Sequence, residues 1–279
     1  MKPAAERVFS FEFFPPKTPE GKDRLRATWR QLAGLKPRFF SVTFGAGGST
    51  REGTLETVLE IRAEGNEAAP HISCVASSRA EIAAQLERYR QHGIRHIVAL
   101  RGDLPSGLAS AGELRHANEL VALIRRETGD WFQIDVACYP EFHPQTRNAA
   151  DEIRRFKQKV DAGANSAITQ YFYNADAYFR FAEDCEAAGI TVPIVPGIMP
   201  IANFSQLARF SDACGAEIPR WMRFRLESLG DDRAAIREFG LDVVTALCDK
   251  LLGAGAPGLH FYTLNQAGLT STIWQRLGL

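Results

Sequence analysis

Short runs rich in Phe, Val and Ile alternate along the chain with longer segments whose apolar residues recur every three or four positions. These are the periods of a strand and of an amphipathic helix. The short runs predict strands over 7–13 (RVFSFEF), 39–44 (FFSVTF), 71–76 (HISCVA), 94–102 (IRHIVALRG), 132–139 (FQIDVACY), 165–172 (NSAITQYF), 191–198 (TVPIVPGI) and 258–264 (GLHFYTL). Between them the longer segments predict helices near 19–34, 51–65, 78–93, 112–128, 146–162, 175–188, 203–214, 231–253 and from about 267. In the third of these, Ile82, Leu86 and Tyr89 mark one face. Eight strand–helix units in one uninterrupted series predict a parallel sheet, and their number and span are those of a single (β/α)₈ TIM barrel. A doubly wound open sheet is the alternative that the same alternation allows. No linker or low-complexity tract divides the chain, so residues 1–279 read as one domain. The stretch 217–232 (EIPRWMRFRLESLGDD) stands outside the alternation and reads as an extra helix or a lid.

Composition narrows the class of function. Lys plus Arg number 33 and Asp plus Glu number 33, a balance that argues against a nucleic-acid binder acting through bulk charge. The five cysteines are scattered, odd in number and without a C-x-x-C pair. That suits reduced thiols in a cytoplasmic protein better than a disulfide framework or a metal site. No apolar run approaches the ~18 residues of a membrane span, and the N-terminus lacks the features of a signal peptide.

Polar residues fall at the C-terminal ends of the predicted strands, where barrel enzymes build their sites. Glu12 closes the first strand, Thr43 the second, Arg101-Gly102-Asp103 the fourth and Tyr139 to Pro144 the fifth. His71 lies on the third strand, Gln170 closes the sixth, and Tyr262 and Asn265 lie around the end of the eighth. Glu12 sits among Phe9, Phe11, Phe13 and Phe14, and a carboxylate in apolar surroundings either finds a partner or raises its pKa. It is therefore an ion-pair member or an acid tuned for proton transfer. Bland readings exist for the others: Asp103 as a turn residue, His71 and His96 as packed core histidines, Arg155 and Lys159 as a solvated helix face. GAGAPG (253–258) matches G-x-G-x-x-G but precedes a strand and contains a proline, so it is not a dinucleotide fingerprint. FGAGGST (44–50) lacks the G-K-[ST] of a P-loop.

Taken together, FEFFPPK, SVTFGAGGSTR, HISC, IRHIVALRGDLP, YPEFHP, KVDAGANSAITQYFYN, PGIMPIANFSQ and HFYTLN resemble the methylenetetrahydrofolate reductases, in order, from about residue 7 to residue 278. The resemblance implies one FAD-binding (β/α)₈ catalytic barrel that reduces 5,10-methylenetetrahydrofolate to 5-methyltetrahydrofolate with NADH or NADPH. It also implies a ping-pong sequence, a cytoplasmic location and a homo-oligomer, dimer or tetramer. It points to the short bacterial type, without the C-terminal domain through which eukaryotic relatives sense S-adenosylmethionine. No metal, nucleic acid or membrane is implied.

By the same resemblance, Glu12 is the general acid that protonates N10 of the folate, its aromatic setting holding the carboxyl protonated. Asp103 lies between flavin and pterin. The FAD contacts are Thr43, Phe44, Ala46, His71, Arg101, Gly102, Asp103, His116, Ala117, Tyr139, His143, Glu152 and Lys159, with Arg101 and Lys159 supplying charge for the pyrophosphate. The substrate contacts are Glu12, Thr43, Asp103, Gln170, Gln206, Phe210 and Gln266, with Gln170 shared by folate and nicotinamide. Two positions depart from the family's pattern. Phe44 stands where tyrosine is common, and Gln266 where many relatives carry arginine, which puts a charged contact to the folate tail in doubt. The rival readings are a non-catalytic flavin- or folate-binding relative, and a barrel lyase on a phosphorylated substrate. The latter needs a lysine at a strand end for a Schiff base.

Overall fold

The computed structural model describes residues 7–44, 51–102 and 112–279. In them the alternation becomes β1 (Val8–Phe13), α1 (Pro19–Ala33), β2 (Phe39–Val42), α2 (Arg51–Ala63), β3 (Ala68–Ser73), α3 (Arg79–Gln91), β4 (His96–Leu100), α4 (Ala117–Thr128), β5 (Gln133–Cys138) and α5 (Ala149–Asp161). There follow β6 (Ser166–Thr169), α6 (Ala175–Ala187), β7 (Ile194–Val195), β8 (Gly197–Ile198), α7 (Phe204–Cys214), α8 (Arg220–Ser228), α9 (Arg233–Gly253), β9 (Gly258–Tyr262) and α10 (Gly268–Arg276).

All ladders are parallel, in the order β7-β6-β5-β4-β3-β2-β1-β9-β8. Pro196 alone separates β7 from β8. Val195 is in register with Ile168 on one side, Gly197 with His260 on the other, and the Pro196 carbonyl accepts from the His260 amide at 2.9 Å. β7 and β8 are therefore two halves of one stave, split because proline has no amide to give to the ladder. That stave closes the sheet into an eight-stave TIM barrel, and β1 lies between β2 and β9. A doubly wound sheet would leave two open edges and is excluded.

Local chemistry sets the helix starts. Thr18 accepts from the Gly21 amide ahead of Pro19 at the first turn of α1, Ser78 and Glu81 form a capping box on α3, and Asp232 accepts from the Ala234 and Ala235 amides of α9. Such caps satisfy amides that have no partner inside the helix. Two boundaries depart from the sequence pattern. β3 begins at Ala68 rather than His71, because Ala68-Ala69-Pro70 pairs with β2 and ladders with β4 start at His71. The stretch 217–232 contains α8, the extra helix.

The main core lies between the barrel and its helices. Phe11 packs against Phe40, Phe261 and Trp274, each buried aromatic removing on the order of 1.5–3 kcal/mol of unfavourable exposure. Inside the barrel a second, smaller apolar group (Phe39, Ala69, Val98, Ile168) fills the floor. Close packing at the split stave yields a prediction. A Cβ at Gly197 would strike the Thr169 carbonyl and come within 2.6 Å of the Tyr262 ring. Gly197→Ala should cost about 2–3 kcal/mol by overpacking, seen in thermal unfolding as a fall of roughly 5–10 °C. An unchanged melting temperature would mean that the stave has room to shift.

Candidate active site

Alternation along β1 puts Ser10 and Glu12 on one face and Phe9, Phe11 and Phe13 on the other. The phenylalanines pack outward on Phe40 and Trp274. Glu12 points into the barrel, where its Oε2 lies 3.2 Å from His71 Nε2 and 3.4 Å from His260 Nε2. Ser41 Oγ donates to the same oxygen at 3.4 Å, and Ser10 Oγ lies 2.7 Å from His260 Nδ1. His71 Nε2 is buried and close to the carboxylate without the geometry of a hydrogen bond.

The expectation that aromatic neighbours hold Glu12 protonated is therefore corrected. Burial does push its pKa up, but charge attraction to His71 and contacts with both imidazoles pull harder, and the carboxyl falls from 4.5 to about 2. The residue is an ionised carboxylate. Of the two readings that the sequence left open, ion-pair member describes the resting network.

A second cluster occupies the ends of the adjacent strands β4 and β5. Arg101 Nη1 donates to Gln145 Oε1, the Gln145 amide donates to His143 Nδ1 at 3.1 Å, and the His143 amide donates to Glu152 Oε2 at 3.2 Å. The rings of Tyr139 and His143 meet edge to face at 4.8 Å. Lys159 Nζ lies 5.7 Å from the centre of the Tyr139 ring and donates to the Ala137 carbonyl at 2.7 Å. On α5, Glu152, Arg155 and Lys159 follow at helical spacing and so share a face. Burial lowers the Lys159 pKa; Glu152 opposes that, and Arg101 and Arg155 add to it. Arg155 Nε is buried with no partner among the described residues. Lys159 is thus no solvated helix charge. Gly102 adopts φ +87°, and a Cβ there would collide with Ser73 Oγ, so only glycine fits.

The remaining sequence candidates distribute around the rim. Thr43 and Phe44 are half-buried after β2; Thr43 donates its amide to the Phe13 carbonyl at 2.8 Å. His116 is exposed and Ala117 buried at the start of α4. Gln170 turns its Oε1 onto the Tyr171 amide at 3.0 Å and lines a small cleft with Tyr139 and Glu141. Gln206 and Gln266 line an open cleft past β8 and β9, on the side of the barrel away from Lys159 in strand order. Phe210 packs half-buried on α7. Asn265, placed on the rim by sequence, clamps the Phe14 backbone through its amide at 3.0 and 2.9 Å. Asp103 and Ala46 lie outside the described residues.

His96 bonds Asp135 at 2.8 Å at the opposite end of the barrel, where Ser166 Oγ also donates to Asp135. It is the packed histidine that sequence suggests. Sequence reasoning missed His260 as a partner of Glu12 and Ser10 as the partner of that ring; their signal was the inward parity they share with Glu12 on paired strands. Among the described residues no group of three or more His, Cys, Asp or Glu side chains is arranged to hold a metal, and no helix is long and apolar enough to cross a membrane.

Glu141, in the loop after β5, accepts from the Glu217 amide at 2.8 Å, while its Oε1 is buried without a partner among the described residues. Burial raises its pKa from 4.5 to about 7. A raised carboxyl pKa favours the fold below the ordinary value and loses that contribution as pH rises through the folded one. Glu141→Gln should therefore stabilise the protein at pH 8 by about 1–2 kcal/mol, discounted for partial exposure, and have little effect at pH 4. Melting temperatures at the two pH values test this. Equal shifts at both would exclude the ionisation as the cause.

The family model described as methylenetetrahydrofolate reductase matches residues 1–278. The 5,10-methylenetetrahydrofolate reductases of Salmonella typhimurium (strain LT2) and Escherichia coli (strain K12) are each 42% identical over 271 residues, covering 97% of this chain and 90% of theirs. Methylenetetrahydrofolate reductase (NADH) 1 of Arabidopsis thaliana is 38% identical, over 98% of this chain and 49% of its own. Among solved structures, a Clostridium thermocellum protein that binds two copies of 5-methyl-5,6,7,8-tetrahydrofolic acid superposes with a TM-score of 0.68 at 16% identity, covering 97% of this chain and 94% of that one. At that identity the likeness concerns the fold alone.

Proposed function

The chain belongs to the methylenetetrahydrofolate reductase family, a family of oxidoreductases acting on folate, and from that premise we propose how its own residues carry the reaction. The substrate is 5,10-methylenetetrahydrofolate, the product 5-methyltetrahydrofolate, the donor NADH or NADPH and the resident cofactor FAD, all within one catalytic domain over residues 1–279. The observation that carries the reading is the Glu12 carboxylate held inside the barrel between His71 and His260.

The substrate's imidazolidine ring is unreactive toward hydride until N10 is protonated. Protonation breaks the bond from N10 to the methylene carbon and leaves an N5 iminium, which accepts hydride at that carbon to become the N5 methyl group. One proton and one hydride are consumed. With its pKa at about 2, Glu12 does not hold the proton at rest. Glu12 takes up a proton in the complex and passes it to N10 as general acid, returning to the ionised state that its contacts with His71 and His260 favour. Ser10, on His260 Nδ1, fixes the orientation of that ring.

The β4–β5 cluster fits FAD. Arg101 and Arg155 concentrate positive charge around the buried Lys159, which donates to a backbone carbonyl, a setting that a pyrophosphate would complete. Tyr139, His143, Thr43, Phe44, His71, Gly102, His116, Ala117 and Glu152 would hold the rest, with Ala46 and Asp103 by resemblance. When bound, FAD supplies a two-electron carrier between NAD(P)H and folate. Gln170, Gln206, Phe210 and Gln266, with Thr43 and Asp103, position the folate. Nicotinamide and folate use the Gln170 side in turn, giving ping-pong kinetics. A Schiff-base lyase has no support here, since none of the described strands contains a lysine.

Purified chain supplied with FAD, NADH or NADPH, and methylenetetrahydrofolate should form 5-methyltetrahydrofolate, with parallel lines in double-reciprocal plots. Intersecting lines would overturn the alternating use of one face. Absence of product with both donors would overturn the reaction.

A further inference from the structure

Helix α7 carries Gln206 and Phe210, yet it is lightly anchored. Of its 11 residues only Leu207 and Ser211 are buried. A helix with so few buried side chains takes its position from whatever holds its ends. At the first turn, Asn203 Oδ1 accepts from the Gln206 amide at 2.8 Å. The last turn rests on the residue after Gln170: the Tyr171 hydroxyl lies 3.1 Å from Ser211 Oγ, and Cys214 Sγ lies 3.5 Å from the same hydroxyl. Gly215 then ends the helix in the left-handed region, at φ +78°, as glycine does at many helix C-termini.

Past α7 the chain meets the loop after β5, which carries Tyr139 and His143. A Cβ at Gly215 would come within 3.1 Å of Pro144 and 3.4 Å of the Phe142 carbonyl oxygen, so the two segments are in close contact. Glu141 crosses this seam, accepting from the Glu217 amide 76 residues on, at 2.8 Å. The turn beside it is strained. Phe142 has φ +76°, which is costly for a bulky residue. Its ring is 46% exposed, so packing of the ring does not offset that cost. Glu141 Oε1 is buried with no hydrogen-bond partner among the described residues. Facing the carboxyl are Glu217, Cys214 and Tyr171 from across the seam and Tyr139 from its own loop, none of them a cation. A strained turn and a buried, unpaired acid are retained where the geometry they create is used.

We propose that Glu141 is a positioning residue for the folate: by holding the Glu217 amide it fixes the C-terminal end of α7, and with it Gln206 and Phe210, against the loop that carries Tyr139 and His143. The proposal rests on the reading that Gln206 and Phe210 position the folate. Glu141 acts through the helix and touches no reacting atom, so its loss falls on folate binding and not on the hydride step. It also makes that binding depend on pH. Burial foremost, and then the facing Glu217 carboxylate, raise the Glu141 carboxyl from 4.5 to about 7 against the pull of the Glu217 amide. Protonated, the carboxyl still accepts that amide through its carbonyl oxygen and carries no charge to bury. The contact therefore weakens as pH rises through about 7, where the ionised form gains by leaving for water.

The test compares the FAD-loaded wild type with Glu141→Ala and Glu141→Gln at pH 6 and pH 8. At pH 6 the alanine variant should raise KM for methylenetetrahydrofolate about fivefold, the worth of one hydrogen bond. Its kcat, and its rate of flavin reduction by NADH or NADPH, should stay within about twofold of wild type. Glutamine keeps the acceptor, so that variant should restore the wild-type KM at pH 6. Between pH 6 and pH 8 the wild-type KM should rise relative to that of Glu141→Gln, which has no charge to gain. An unchanged KM in the alanine variant, a loss confined to kcat, or no rescue by glutamine would overturn the positioning role while leaving the reductase reading intact. A wild-type KM that keeps pace with the glutamine variant's would overturn the role of the charge. If the wild type forms no product with either donor, the reductase reading fails instead. Amide hydrogen exchange then judges the contact alone: faster exchange over 211–217 in Glu141→Ala, reversed in Glu141→Gln, supports it, and equal exchange in all three proteins overturns it.

Discussion

Glu12→Gln should lower folate reduction by about 10²–10⁴-fold, the range associated with loss of a general acid, while oxidation of NAD(P)H by the flavin continues. The substitution is close to isosteric, so the fold and the cofactor site stay in place. An amide cannot relay a proton to N10, and without that proton the imidazolidine ring stays closed to hydride. The loss should fall on kcat for folate rather than on KM. Acid stability offers a second readout. Because the Glu12 pKa is lowered from 4.5 to about 2, its contribution to the fold is present above pH 4.5 and lost as pH falls toward 2. The variant lacks that contribution, so its unfolding should depend less on pH in this window. Survival of both half-reactions in rapid-mixing experiments would remove Glu12 from the proton path.

Lys159→Met separates binding from folding. Lys159 is buried, and burial lowers its pKa, so the apoprotein holds a charge it would be more stable without. Methionine fills similar space with no charge. The apo variant should therefore melt no lower than the wild type. FAD affinity should fall by at least about 30-fold, the loss of a desolvated charge partner. Equilibrium titration of the apoprotein with FAD, followed by quenching of flavin fluorescence, measures this directly. Equal affinity in the two proteins would show that Lys159 serves the barrel wall and not the pyrophosphate.

Much of the barrel is legible from periodicity because each stave has apolar residues on its outer face and a turn after it. The misses have physical causes. Ala68-Ala69-Pro70 carries none of the branched or aromatic bulk that marks a strand, yet it fits beside β2 because the neighbouring interior is filled by Phe39. The run over 191–198 holds two short pairings rather than one strand, since Pro196 interrupts it. In the site, Glu12, His71, Arg101 and Lys159 were identified through the family's motifs. The environment of Glu12 is not that of its sequence neighbours, because a strand sends alternate side chains to opposite faces. Phe11 and Phe13 are adjacent in sequence and on the opposite face, whereas His260 is 248 residues away and in contact.

The most direct measurement is the anaerobic visible spectrum of the FAD-loaded protein through one full cycle. Addition of NADH or NADPH should bleach the flavin bands, and methylenetetrahydrofolate added after removal of the excess donor should restore them with one equivalent of 5-methyltetrahydrofolate formed. Flavin that never bleaches with either donor, or that bleaches and stays bleached when folate is added, would contradict the proposed reaction.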